Sequence, residues 1–202
     1  VWIGKTVSVT DSLVPTHRRT ITIESFDVDA GYEIHATLTD ERPWADNSVN
    51  VHTLHHMGLV VTIDRSTLTI VDARAQMEDF PHEECQTIEP AFRQLVGLSV
   101  VRGYTRAVQD RLGRQRGCSH LEFLARAIGP AAIQTMASSR SRRGDSVVTK
   151  SSTTDEGSWL VNTCHLWAQG GIGAEKVATG WHPGADRYPT PTLVELRSRA
   201  RS

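Results

Sequence analysis

The sequence predicts an α+β fold: an antiparallel sheet of about four strands, helices packed on one face of it, and a C-terminal strand-turn extension. Three observations carry this. Roughly the first seventy residues alternate apolar and polar side chains with period two. After Asp79 the apolar spacing becomes helical. Turn residues separate the strand-like runs at the short intervals that a meander needs.

The elements follow in order. Ile21 and Ile23 alternate with Thr20, Thr22 and Glu24, and Tyr32, Ile34, Ala36 and Leu38 alternate with Glu33, His35, Thr37 and Thr39. Each apolar set lies on one face of a half-buried strand. Asp27-Val28-Asp29-Ala30-Gly31 turns between them, so the pair is a hairpin. Two further strands run from Gly58 to Ile63 and from Thr67 to Ala73, with Asp64-Arg65-Ser66 between. Glu41 to Asn50 is polar, holds Pro43 and Trp44, and reads as a loop.

Beyond Asp79, Thr87 can cap a helix carrying Ile88, Phe92, Leu95 and Val96. A second helix runs from about Tyr104 to Leu112 and stops at Gly113, a common residue past a helix end. Ser119-His120-Leu121-Glu122 fits the S-x-x-E capping box of a third helix, whose stripe is Leu121, Leu124, Ala125 and Ile128. Gly129-Pro130 is expected to break or kink it. Residues 1–137 then form the main domain. Residues 138–157, rich in Ser, Thr and Arg, form a flexible loop. Residues 158–202 complete the same domain: a strand over Trp159 to Trp167, turns at Gly170-Gly171 and Trp181-His182-Pro183-Gly184, and a frayed basic tail.

Composition limits the function. The 202 residues are 39% hydrophobic, enough for a core, and carry a net charge of −1, which argues against nucleic-acid binding over the whole surface. No run approaches the ~20 apolar residues of a membrane helix, so no membrane partner is expected. Val1-Trp2-Ile3-Gly4-Lys5 lacks a signal-peptide pattern. The 3 cysteines, an odd number, are not a disulfide framework. These points lead to the expectation of a cytoplasmic protein. G-x-G-x-x-G, P-loop, G-x-S-x-G and H-E-x-x-H motifs are all absent, which disfavours dinucleotide enzymes, common NTPases, α/β-hydrolases and zincin proteases.

The chemistry concentrates at Gly117-Cys118-Ser119-His120-Leu121. Cys118 stands at a helix start, where exposed N–H groups favour an anion, so its thiol is expected to be activated, with His120 two residues away. Cys85 follows Pro81-His82-Glu83-Glu84 near another helix start, and Cys164 sits in Thr163-Cys164-His165. His55 and His56 are adjacent on a strand, so alternation leaves at most one of them facing a shared site. Two constellations are open. Cys85, Cys118, Cys164 and His120 form a donor set for zinc or an iron–sulfur centre, though no C-x-x-C pair fixes it. Alternatively, Cys118 is a metal-free nucleophile with His120 or His55 as base. Asp29, Asp72 and Glu122 are candidate acids to orient the base; Glu122 is needed by the capping box, and Asp27 and Asp29 suit a turn. Tyr104 and Trp167 are expected to contact substrate.

Taken in order, Leu54-His55-His56-Met57, Cys85 with a helix behind it, Leu95-Val96-Gly97-Leu98, Gly103-Tyr104, Arg116-Gly117-Cys118-Ser119-His120-Leu121 and Asn162-Thr163-Cys164-His165 resemble a bacterial family of unknown function, number 2889, over roughly residues 17 to 183. The resemblance implies that Cys85, Cys118, His120, Cys164 and His55 lie in recurring motifs; it implies no activity. The architecture is also similar to iron–sulfur scaffold and sulfur-acceptor proteins. The leading expectation is a small enzyme of bacterial metabolism acting on an acyl, carboxylate or enolate-type small molecule by hydrolysis, elimination or cyclisation and isomerisation, with bound zinc as an option. The alternative is a non-catalytic metal or sulfur carrier built on the three cysteines.

Overall fold

The structure, a computed structural model, describes residues 13–145, 160–186 and 188–201. The chain forms two compact units, one ending at Thr135 and the other starting at Met136. The first unit is an α+β structure. Strands β1 (Arg18–Val28), β2 (Gly31–Glu41), β3 (Thr53–Asp64) and β4 (Ile70–Asp79) make one antiparallel sheet in the order β1-β2-β3-β4. Then come a run of 3-10 turns (Glu83–Leu95), helix α1 (Tyr104–Leu112), a single 3-10 turn (Arg114–Arg116) and helix α2 (Ser119–Arg142), which continues into the second unit.

The alternation seen in the sequence sets the faces of the sheet. Tyr32, Ile34, Ala36 and Leu38 on β2 and Met57, Leu59, Val61 and Ile63 on β3 point inward and are buried, whereas Glu33, His35, Thr37 and Thr39 point out. Leu121, Leu124, Ala125 and Ile128 of α2 are buried, as are Tyr104, Val108 and Leu112 of α1. The Thr135 hydroxyl donates to the Ser25 hydroxyl of β1 at 2.7 Å. His120, at the other end of this part of α2, reaches Asp40, the ladder partner of Arg19 on β1. Fifteen helical residues rise roughly 22 Å and six strand residues roughly 20 Å. The matched lengths let α2 run from beside Asp40 on β2 to beside Ser25 on β1.

Two expectations about the helices change. The segment before α1 starts at Glu83 rather than Thr87 and is 3-10 rather than α. Its buried residues, Phe92 and Leu95, are three apart, the repeat that a 3-10 helix brings to one face. Gln86 and Glu89 from the same run hydrogen-bond the main chain of Met77, beside an irregularity in the β3–β4 ladder. The second change is that α2 passes through Gly129-Pro130 without ending and reaches Arg142, so residues 138–142, expected in the flexible loop, are helical. Pro130 removes one backbone donor, but buried Ile128 and Ala132 on either side hold the helix to the core. Gly129 is required by packing: a Cβ there would lie 2.7 Å from the Tyr104 ring.

Among the described residues of the second unit, the elements after α2 are a 3-10 turn (His165–Trp167), α3 (Ile172–Ala178) and α4 (Leu193–Arg199). The expected C-terminal strand is thus a turn over the described part of its range; Trp159 lies outside the described residues. Gly173 packs so closely on Trp167 that a Cβ would lie 2.4 Å from its ring. The tail is ordered as a helix by a capping box, in which Thr192 and Glu195 satisfy each other's backbone N–H groups. No described helix is long and apolar enough to cross a membrane.

Candidate functional site

The inward alternation of β2 continues one step past Leu38 to Asp40. A carboxylate therefore stands on the buried face, with only 1% of its surface exposed. A buried carboxylate needs partners, and the register supplies them. Arg19 on β1 and His55 on β3 are its two ladder partners, so the three side chains lie abreast across three strands. The β2–β3 register shifts just beyond, between Asp40 and Glu41, and the β3–β4 register shifts between His56 and Met57. Such irregularities re-aim side chains at the edge of a site.

Arg19 grips the carboxylate with both arms of its guanidinium: Nε donates to Oδ1 and Nη2 to Oδ2, each at 2.7 Å. Oδ2 also accepts from His55 Nδ1 at 3.1 Å and lies 3.4 Å from His120 Nε2. His17 Nε2 lies 3.2 Å from Oδ1. The His55 and His120 rings are 4.1 Å apart between centroids, tilted by 34°. The other nitrogen of His120, Nδ1, lies 3.7 Å from Cys118 Sγ. His120 thus bridges a thiol and a buried carboxylate. Cys118 directly precedes α2, and its carbonyl accepts the Glu122 N–H at 2.8 Å. The helix therefore starts at Ser119 rather than being capped by it, and Glu122 lies 3.1 Å from Arg126 instead.

The electrostatics oppose each other across the pair. Burial alone would raise the Asp40 carboxyl, but the Arg19 hydrogen bonds and charge, with His120 and His17 behind them, hold it below the ordinary carboxylate range. Burial, reinforced by His55, lowers His120, and the pull of Asp40 does not reverse this. The resting state is an ionised carboxylate facing a neutral imidazole.

The remaining sequence candidates have other partners or belong to other elements. His56 points away from Asp40, 3.0 Å from Glu78. Asp72 pairs with Arg74 on the sheet, and Asp27 with Arg65 at a turn. Tyr104 is buried and its hydroxyl donates to the Ala125 carbonyl at 2.9 Å; burial pushes its phenol up. Trp167 and exposed Cys164 belong to the second unit, and half-buried Cys85 lies in the 3-10 run. Among the described residues, the group whose ligand-type atoms converge, all within 4.8 Å of one another, is Asp40, His55 and His120, and it contains no cysteine. Asp40, Arg19 and His17 are absent from the sequence-level candidates. For Asp40 the signal was present: it extends the series 32, 34, 36, 38 to 40. For the other two there was none without the register.

Fold and site together describe an α+β protein in which a helix start meets a carboxylate-centred histidine cluster at one end of a meander. The chain belongs to the DUF2889 family of proteins of unknown function, whose family model matches residues 17–134. That span holds His17, Arg19, Asp40, His55, Cys118 and His120, and stops short of the Cys164 motif. No curated protein and no solved structure matches the chain.

Proposed function

We propose that the chain is an enzyme in which Cys118, His120 and Asp40 act as one unit on the carbonyl group of a small acyl, carboxylate or enolate-type substrate. The observation that carries this is His120 standing between Cys118 Sγ, 3.7 Å from Nδ1, and Asp40 Oδ2, 3.4 Å from Nε2. With its proton on Nε2, neutral His120 takes the Cys118 proton at Nδ1, and the ionised Asp40 stabilises the imidazolium that results. Hydrolysis, elimination and isomerisation at a carbonyl share an oxygen that gains negative charge, and the free N–H groups at the start of α2 suit that oxygen. Asp40 is a positioning residue here, and Arg19 fixes Asp40. The test is alkylation with iodoacetamide near neutral pH, read by peptide mass spectrometry. Cys118 should react faster than Cys85 and Cys164, and His120→Gln should remove the difference; a Cys118 no faster than a model thiol ends this reading.

A second reading has its own observation. A tetrahedral zinc with bonds of about 2.0–2.1 Å separates its ligands by about 3.3 Å, and the 3.1 and 3.4 Å from Asp40 Oδ2 to His55 and His120 are close to that. In it Asp40, His55 and His120 take three corners and leave one for water or substrate. Metal analysis separates the two: about one equivalent of zinc, lost in His55→Ala but kept in Cys118→Ser, favours the metal. The three-cysteine carrier has no such convergence to support it among the described residues.

A further inference from the structure

A concavity lies between α1, the Arg114–Arg116 turn and the start of α2. It has a volume of about 790 Å³, and four arginines line it: Arg106, Arg114, Arg116 and Arg126. That size falls within the range of small-molecule sites, roughly 300–1,000 Å³. Two of its charges are matched in place, Arg106 by Asp110 at 3.8 Å and Arg126 by Glu122 at 3.1 Å. Arg114 and Arg116 have no carboxylate partner among the described residues; Arg116 donates only to the Gln109 carbonyl, at 3.4 Å. Two positive charges thus face one cleft in a chain whose net charge is −1.

The turn that presents them is fixed. Gly113 and Gly117 bracket it, and a Cβ on either would fall 2.4 Å from the Gln109 carbonyl oxygen or 2.2 Å from that of Leu112. The turn is thereby pressed onto the last turn of α1. Arg114 itself holds φ at 57°, in the left-handed region that strains an L residue with a side chain.

We propose that this cleft binds a small molecule through a phosphate group. Guanidinium forks suit both phosphate and carboxylate. A phosphate concentrates close to two charges and three acceptor oxygens on one centre, which matches two unpaired arginines two residues apart; a carboxylate matches one. A cleft of this volume suits a small molecule. Ser119 lines the cleft and directly follows Cys118, so the cleft borders the candidate catalytic unit. The assignment stands on the arginines and holds whether or not Cys118 is a nucleophile.

The test is calorimetric titration of the full chain with inorganic pyrophosphate, at an ionic strength held constant with sodium chloride. Saturable binding near one equivalent is expected, weakened at least tenfold in the Arg114→Gln/Arg116→Gln double variant and unchanged in Cys118→Ser. The absence of binding above the chloride background overturns the proposal. So does equal affinity in a double variant whose circular dichroism and melting temperature match the parent. If the double variant does not fold, the single variants Arg114→Gln and Arg116→Gln should each weaken binding threefold or more, and unaltered binding in both is decisive against the site. Tighter binding of malonate than of pyrophosphate overturns the choice of phosphate.

Discussion

The β2–β3 ladder has a carboxylate at each end, and the two are held in opposite ways. At the Gly31–Asp64 end, Asp64 Oδ1 accepts from the backbone N–H groups of Ser66 and Thr67, at 3.0 and 2.8 Å, and from both their hydroxyls. Those bonds bring it down to about 2, although it is only partly buried. At the Asp40–His55 end, the carboxylate is buried and its partners come from β1, the segment before it, β3 and α2. The first arrangement is local and needs only the four residues 64–67. The second exists only when sheet and helix are assembled. A carboxylate that merely closes a turn is served by its neighbours in sequence; one served by three separate segments of the chain marks where the fold converges.

The sharpest way to break the contrast is to delete each carboxylate. Asp40→Ala leaves Arg19 and three imidazoles without their anion and should cost about 2–3 kcal/mol, less than a fully buried pair because Arg19 is partly exposed. Urea denaturation measures it, and Asp64→Ala should cost clearly less; equal losses would erase the distinction. The turn end has a different weak point. Gly31 holds φ at 141° and a Cβ would lie 2.0 Å from the Ile63 carbonyl oxygen, so Gly31→Ala should cost about 2 kcal/mol by the same assay.

Acid should act on the cluster end first. His120 is lowered from 6.5, so in the window below 6.5 the unfolded chain binds more protons and stability falls as pH falls. Asp40 is lowered from 3.8, so its contribution, present above that value, is lost only as pH drops further, through its folded value. Urea midpoints at pH 7 and pH 5 should therefore differ more in the parent than in His120→Gln; parallel shifts would remove His120 from the account. The smallest effect is expected at Arg65, which donates to Asp27, Val28 and Gly31 at the turn end at 3.1–3.2 Å. Arg65→Ala should cost about 1 kcal/mol and leave Cys118 alkylation untouched; a slowed alkylation would couple the two ends.

The sheet was legible because alternation is a local signal, and α2 because Leu121, Leu124, Ala125 and Ile128 fall on one stripe. Pro130 and the Ser- and Arg-rich composition hid the continuation to Arg142, since packing rather than propensity carries a helix through such residues. In the site, Cys118 and His120 were legible as near neighbours in sequence. His55 was legible as one of two adjacent histidines that a strand sends to opposite faces. What holds them together was not: Arg19 and His17 meet Asp40 through strand register, which no spacing in the chain announces. The cysteines drew attention because they are few, yet the atoms that converge among the described residues are a carboxylate oxygen and imidazole nitrogens.

β1 is an edge strand of the sheet, paired among the described residues with β2 alone and largely exposed, with Phe26 at 44%. It nonetheless carries Arg19, and His17 directly precedes it. Edge strands open more readily than central ones, so each detachment of β1 would strip the buried carboxylate of its guanidinium and one imidazole together. The chemistry of the cluster is thereby tied to the fraying of a single strand. Amide exchange along Arg18–Ile23 would serve as a clock for how often the site comes apart.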